Sequence, residues 1–431
     1  MLTEKKKLSN FAHNSTVESV CVRPETEQQL DILSQHSKKE GILIRGHGLS
    51  YNDSCLSSTG LTILSERFNH FISFDKNSGI VICQPAVRIK ELFELDPNWF
   101  PAIVPGTVNA SVGGAIAHDV HGKNQYHAGN FSEQVLWIDL LIQNKTYRIS
   151  PTEYTDLWRA TIGGIGLTGI IKRVALQLKQ QSRTVKVKRQ RFDTHQALLQ
   201  CMQTEGVEQA YQVAWLNILD GEQSILTFAN HVPAIEPPAE KDYCFSIPKL
   251  PFTLLGKTPI KLFNSFYYRW TKESSSTIDF VTFNNPLDRI KSWQNLYGRK
   301  GLRQFQCVFP SDSAKQTLNQ IQTILKRHKV IPCLSILKYF KYSGKGYLSF
   351  TQPGFTLAID FINNKQSINA IEDLNTLILK IQGKIYMAKD FSLTKEPFQL
   401  MYPEAERFIA VLQTYQSPMR SNLGKRLGLH P

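Results

Sequence analysis

Near the first quarter of the chain, residues 104–124 read VPGTVNASVGGAIAHDVHGKN. His118, Asp119, His121 and Lys123 close this stretch. Histidine moves protons near neutral pH, and lysine holds negative charge. Ahead of them Gly106, Gly113 and Gly114 stand among Ser, Ala and Thr. Where no Cβ intervenes, backbone N–H groups can close on an anion. The stretch therefore suits an anionic ligand held by backbone, with its reactive end facing the histidines and lysine. The same residues equally suit a tight turn entering a small-residue helix, and other parts of the chain must separate the two readings.

Two further loops do so. Gly164-Ile165-Gly166-Leu167-Thr168-Gly169 matches GxGxxG. A dinucleotide fingerprint needs a strand before it, a helix after it and an acidic residue about 20 positions on. Here a helix-like segment precedes, a strand-like segment follows, and residues 172–191 contain no Asp or Glu. A nicotinamide Rossmann site is therefore rejected, and the glycines remain as a close-approach loop. Arg45-Gly46-His47-Gly48-Leu49-Ser50-Tyr51 is another such loop. Three of them in one mixed half imply a long ligand whose pyrophosphate is held by amides. No GxxxxGK[ST] is present, so a mononucleotide P-loop is excluded.

The elements that must position these loops are short and mixed. Residues 18–45 read as strand, helix, strand, and 71–85 as a hairpin around Asn77-Ser78-Gly79. A short helix is expected over 87–95, a hairpin turning at Asn144-Lys145, a helix over 154–164 and a long strand from 167. Beyond about residue 183 glycine thins and aromatics gather, notably Phe263, Phe266, Tyr267, Tyr268 and Trp270. Residues 183–191, RTVKVKRQR, alternate as a strand with one basic face. A proline- and lysine-rich stretch at 234–259 is expected to be an extended excursion. Strands over 304–310, 332–342 and 354–361, a helix over 312–328 and a tail helix over 398–415 complete the reading.

With 431 residues, two or three domains are expected. No apolar run reaches membrane-span length, and the N-terminal lysines lack a following apolar region, so a secretory signal is not expected. Seven cysteines without CxxC or CxxH spacing argue for reduced thiols in the cytosol and against a metal site. The net charge of +14 attracts polyanions or anionic lipid headgroups, and no nucleic-acid module accompanies it.

The three loops, as RGxGxSYxD, VPGTxxxSVGGAIAxDxHGKN and ATxGGxGLTGII, resemble the FAD-binding domain of the PCMH-type, or vanillyl-alcohol oxidase, superfamily. Within it the chain resembles the family of the oxidase subunit of decaprenylphosphoryl-β-D-ribose 2-epimerase. The likeness runs nearly end to end, through QFQCVFP, ILKYF, PGFTLAIDF, IQGKIYMAKD and the closing RLGL. It implies an α+β fold: an FAD-binding domain in two subdomains, split between N- and C-terminal segments (residues 1–183 and 384–431), with a cap of antiparallel sheet and helices inserted at 184–383. It implies FAD contacts by Arg45, Gly46, His47, Gly48, Leu49, Ser50, Tyr51, Gly106, Ser111, Val112, Gly113, Gly114, His118, His121, Ile171 and Tyr386. Lys123, Gln306, Lys338 and Lys389 would face the substrate. His121 and Tyr51 would be proton acceptors, and Lys389 would stabilise developing anionic charge.

Several relatives attach FAD covalently through a histidine directly before the serine of the first loop. Leu49 stands there in this chain, so non-covalent FAD is expected. The family carries cysteine where this chain has Ala358 and asparagine where it has Thr356. The function implied is oxidation of a secondary alcohol on a polyprenyl-phosphate-linked pentose, with hydride passing to flavin N5. A short-chain reductase would be the partner, and the cytoplasmic enzyme would touch the inner membrane face peripherally. Two alternatives stand beside it: an aldonolactone or alditol oxidase acting on a soluble sugar, and a non-catalytic flavin-binding protein.

Overall fold

The computed structural model describes residues 2–35, 41–233 and 245–430. It is a mixed α+β structure built on three main sheets. In the first, Thr3–Ser9 pairs antiparallel with Thr16–Val22, and Leu61–Leu64 and Ile42–Arg45 continue it in parallel. Thr3–Ser9 is not evident from its lysine-rich sequence. It is an edge strand, where exposed Lys5 and Lys7 discourage pairing with another chain.

The second sheet is antiparallel, in the order Phe71–Asp75, Ile80–Cys83, Ile170–Gln177, Val135–Ile142, Lys145–Ile149. Its hairpin turns at Gln143 and Asn144, whose φ values of 46° and 66° suit a type I′ turn, one residue before the expected position. The helix expected over 87–95 is reduced to the turn Ile89–Leu92. Thr155–Thr161 is helical ahead of the GxGxxG loop and Ile170–Gln177 is a strand after it, the reverse of a Rossmann turn.

The third sheet has eight antiparallel strands. Its middle is Tyr211–Leu216, Pro332–Phe340, Gly354–Ile362 and Leu302–Phe309, and Lys384–Ile385 closes one edge. Thr184–Phe192 belongs to it and buries Val185 and Val187 while exposing Lys186 and Lys188, the alternation read from its sequence. Helices His195–Gln203, Ala314–Arg327 and Lys365–Lys380 pack on this sheet and on one another. Within each helix the buried residues recur at helical spacing: Leu198 and Met202; Leu318, Ile321 and Leu325; Ile371, Leu374 and Ile378.

Two expectations change. The tail forms two helices, Lys395–Met401 and Ala405–Thr414, because Pro403 lies between them and cannot continue a helical ladder. Residues 234–244 of the expected excursion lie outside the described residues. After them Phe245–Ser246 pairs in parallel with Ile290–Lys291, and a helix spans Lys257–Trp270. Cys21, Cys55, Cys83, Cys201, Cys307 and Cys333 are free thiols, and Cys244 lies outside the described residues.

The C-terminal segment returns to the N-terminal sheets. Arg426 binds Asp53 at 2.9 Å and Asp390 at 2.8 Å, and both carboxylates are buried. Breaking such an enclosed pair by removing one partner costs about 3–5 kcal/mol. Ile42 donates its N–H to Pro418, Asn422 donates its own to Leu56, and Asn52 donates its side-chain amide to the Met387 carbonyl.

Candidate active site

A cavity of about 640 Å³ lies between the glycine loops and the uncovered face of the large sheet. One wall carries Gly46, His47, Gly48, Leu49, Ser50 and Tyr51; Gly106, Ser111, Gly113 and Gly114; and Gly166, Gly169 and Ile171. The loop geometry explains the glycines. Gly48 has φ +67°, and a Cβ there would lie 2.0 Å from the Arg45 guanidinium. Gly106 and Gly166 have nothing within 4 Å of the position a Cβ would take, so side chains there would project into the space a ligand needs. The N–H groups of residues 46–50 find no acceptor among the described residues, although all five residues line the cavity. Unspent amides on a cavity wall fit an anionic pyrophosphate.

At the turn 118–123 the side chains divide their work. Asp119 has φ +39° and accepts from Asn130 at 2.8 Å, the Ser132 N–H at 3.2 Å and Ser349 at 2.6 Å. These bonds fix the strained turn and turn the histidines toward the cavity. His118 lies 3.3 Å from the Ser54 hydroxyl, and desolvation pushes its pKa down to about 4, so it is neutral. His121 is 3.1 Å from the Gln306 side-chain nitrogen and packs against Phe340, Phe350 and Tyr386. Desolvation, with Lys338 and Lys389 nearby, holds it well below the usual histidine range. Its Nδ1 is buried without a partner among the described residues.

Opposite the loops, the large sheet presents alternate residues in register. Gln304, Asp360 and Leu334 form one cross-strand row, and Gln306, Ala358 and Ile336 form the next. All six line the cavity. A slip of one residue in any strand would turn its members away. One row further, Lys338 pairs with Thr356, whose hydroxyl lies 3.3 Å from the Gln306 amide.

Two ammonium groups enter this end. Lys389 sits 3.3 Å from the centroid of the Tyr51 ring, and Lys338 has no ion-pair or hydrogen-bond partner among the described residues. Desolvation lowers Lys338 to about 8. Desolvation lowers Lys389 too, against the opposing pull of Asp360. Asp360 is raised by desolvation, and Gln304 and Tyr297 donate hydrogen bonds to it. Asp360 thus acts on Lys389 while Lys338 has no carboxylate partner among the described residues, and the cavity end favours an anion. Tyr51 is enclosed, and desolvation raises its pKa well above the usual phenol value. As a proton acceptor it is therefore much weaker than the neutral imidazole of His121.

Gln306, Lys338, Lys389, His121, Tyr51, His118 and Tyr386 all line the cavity. Tyr386 donates from its hydroxyl to the His118 carbonyl at 3.1 Å. Three expected residues stand apart. Arg45 spends its guanidinium on the Cys55 and Ser9 carbonyls, both at 2.7 Å, and shapes the first loop from behind. Val112 is fully buried, its N–H held by the Val87 carbonyl. Lys123 turns to the Phe283 carbonyl at 2.7 Å and lies over the Phe283 ring, which ties the turn to the 280–284 helix. The N–H of Gly113 is also spent, on Pro85. Asp360, Gln304, Asp288 and Trp293 line the cavity without having been singled out. The alternation through Thr356, Ala358 and Asp360 would have found Asp360. Asp288, which accepts from the Val108 N–H at 2.8 Å, had no local signal.

Comparison with known proteins agrees with this geometry. Residues 19–150 match a family model described as an FAD binding domain. The chain is 28% identical to a decaprenylphosphoryl-beta-D-ribose oxidase of Mycolicibacterium smegmatis, over 99% of this chain and 98% of that one. A putative D-arabinono-1,4-lactone oxidase of Neurospora crassa is 30% identical over 36% of this chain and 29% of its own. A D-arabinono-1,4-lactone oxidase of Debaryomyces hansenii is 28% identical over 43% of this chain and 39% of its own.

Proposed function

We propose that this chain, an FAD-dependent oxidoreductase with a PCMH-type FAD-binding domain, oxidises a secondary alcohol on a pentose linked to polyprenyl phosphate. The observation that carries the reading is the meeting of His121, Lys338 and Lys389 at one end of a cavity whose other wall is three glycine loops. We read residues 1–183 and 384–431 as the flavin-binding domain and 184–383 as the substrate cap. In support, the two smaller sheets are built before residue 178 and the large sheet after residue 183.

FAD, when bound, supplies the hydride acceptor for the carbinol C–H. The amides of residues 46–50 would hold its pyrophosphate, and Tyr386 and His118 would flank its ring. His121 takes the hydroxyl proton. The Gln306 side-chain nitrogen, which donates to the Thr356 hydroxyl at 3.3 Å and lies 3.1 Å from His121 Nε2, holds the imidazole in place, and Nδ1 has no partner among the described residues. Lys389 supplies positive charge where negative charge develops, and Lys338 binds the substrate phosphate. The keto-sugar product would pass to a partner short-chain reductase, and the pair would invert one carbinol centre.

The test is anaerobic. Bound flavin is expected to bleach with a polyprenyl-phosphoryl pentose. Bleaching by free alditols or aldonolactones alone would instead favour the lactone-oxidase reading that the partial matches suggest.

Two further results are expected. Leu49 has no nucleophilic nitrogen, and His47 Nε2 is held 2.9 Å from the Ala86 carbonyl, so FAD should be bound non-covalently. Acid precipitation should leave the yellow colour in the supernatant, and a coloured pellet would refute this. Lys338, with its pKa lowered to about 8, loses its proton as pH rises through that value in the free enzyme. A cation that binds phosphate is then lost, so KM for the phosphate-bearing alcohol should rise by about five- to tenfold between about pH 7.5 and 9. A KM unchanged across that range would remove Lys338 from phosphate binding.

A further inference from the structure

The Lys257–Trp270 helix has two apolar faces, and only one is used inside the protein. Ile260, Asn264 and Tyr268 are buried at i, i+4 and i+8. On that side Tyr268 and its neighbour Tyr267 belong to a cluster with Trp215, Ile225, Leu334 and Ile336. Asn264 and Tyr268 anchor the helix through Asn217 at 2.9 Å and Asp193 at 2.7 Å. The other face carries Leu262, Phe263, Phe266 and Trp270, all exposed, with Leu262 at 67% and Trp270 at 71%. At 3.6 residues per turn these four fall within a stripe about 100° wide. Phe266 stacks on Trp270 at 4.5 Å, so the stripe is a continuous apolar surface.

Exposed Phe252 and Leu254 lie on the loop leading into this helix, and Leu254 bonds its backbone to Leu296. Leu296 and Trp293 share a small apolar cluster with Tyr51, and Trp293 and Tyr51 line the cavity. Leu334 and Ile336, under the helix, line it as well. The outward stripe is thus joined through two sets of contacts to the wall of the substrate cavity.

Unpaired cations outnumber carboxylates around the stripe, although Lys261 on the helix pairs with Asp220 at 2.9 Å and Glu273 follows Lys272. Lys257 and Arg269 lie on the helix and Lys272 just beyond it, and none has a carboxylate partner among the described residues. The chain as a whole carries +14. An aromatic and leucine stripe flanked by lysine and arginine is the composition of a helix that lies in the headgroup region of an anionic bilayer.

We propose that the Lys257–Trp270 helix is a membrane-docking element, which seats Leu262, Phe263, Phe266 and Trp270 in an anionic bilayer and brings the cavity wall to the lipid surface. The assignment rests on the reading that the substrate is lipid-linked, and its test does not use that substrate. The FAD-loaded protein is mixed with vesicles of phosphatidylglycerol and phosphatidylcholine, or of phosphatidylcholine alone, and sedimented at low salt. Binding to the anionic vesicles only is expected. The triple variant L262S/F266S/W270S, with circular dichroism and bound-flavin absorbance unchanged, should lose binding by about tenfold or more in partition coefficient. The pair K257E/K272E, which leaves the apolar stripe whole, should also weaken it. Protein left in the supernatant with anionic vesicles would overturn the proposal. So would a triple variant that binds undiminished, or a wild-type dimer in sedimentation equilibrium that the triple variant abolishes, since the stripe would then be an interface between copies. A failed bleaching assay alongside normal vesicle binding would instead strike the substrate reading.

Discussion

Replacing Lys389 with methionine is expected to slow substrate-driven flavin reduction by about 10²–10³-fold while FAD stays bound, the usual loss when one preorganised charge-stabilising group is removed. Methionine keeps an apolar stem against the Tyr51 ring, 3.3 Å from the present ammonium, so packing changes little. Asp360 loses its cation, but desolvation already pushes that carboxyl up to about 6, and it can take a proton instead of remaining as an unpaired buried charge. The effect should therefore fall on rate and not on folding. Anaerobic stopped-flow absorbance of the loaded enzyme measures it. A loss below about tenfold would take Lys389 out of the reacting end, and partial recovery in Lys389→Arg would show that charge is what matters.

His121→Ala should cost about 10²–10⁴-fold in the same half-reaction, the range for losing a positioned proton acceptor. Wild-type His121 is neutral because desolvation holds its pKa well below the usual value. Its protonation therefore puts no limb on the rate profile across neutral pH. In the variant the vacated volume lies beside Phe340, Phe350 and Tyr386. Added imidazole should restore part of the rate, with a dependence on the neutral form of the added base. A variant that reduces flavin at the wild-type rate would transfer the role elsewhere. Tyr51 is the poorer candidate, since its raised pKa disfavours any share of anionic character.

The loops were legible because their constraints are local. At Gly48, φ and the Arg45 side chain demand glycine within a few residues of sequence, and at Gly106 and Gly166 the empty space does. The sheet face was legible only in part. Gln306 and Lys338 were found through resemblance, whereas Asp360 and Gln304 join them through cross-strand register, which links positions 56 residues apart in sequence. Lys123 was misread because its direction is set by Phe283, 160 residues away. Arg45 was misread because a polar side chain beside an anion site looks like a ligand until its two carbonyl partners are seen. The aromatics of Lys257–Trp270 stood out in the sequence, but their helix did not, since its largest aromatics face outward and periodicity is usually read as a sign of what faces in.

The closing contacts of the C-terminal segment also set a timetable. Met387 receives Asn52, Pro418 receives Ile42, and Arg426 clasps Asp53. On the ribosome none of these can form until the residue that closes it, Met387, Pro418 or Arg426, has been made, because synthesis runs from the N-terminus. The first loop is made early and waits for residues more than 300 positions downstream. These closing contacts are thus made only after Arg426 has emerged, and a nascent chain stalled short of it would expose an unfinished pocket to chaperones and proteases.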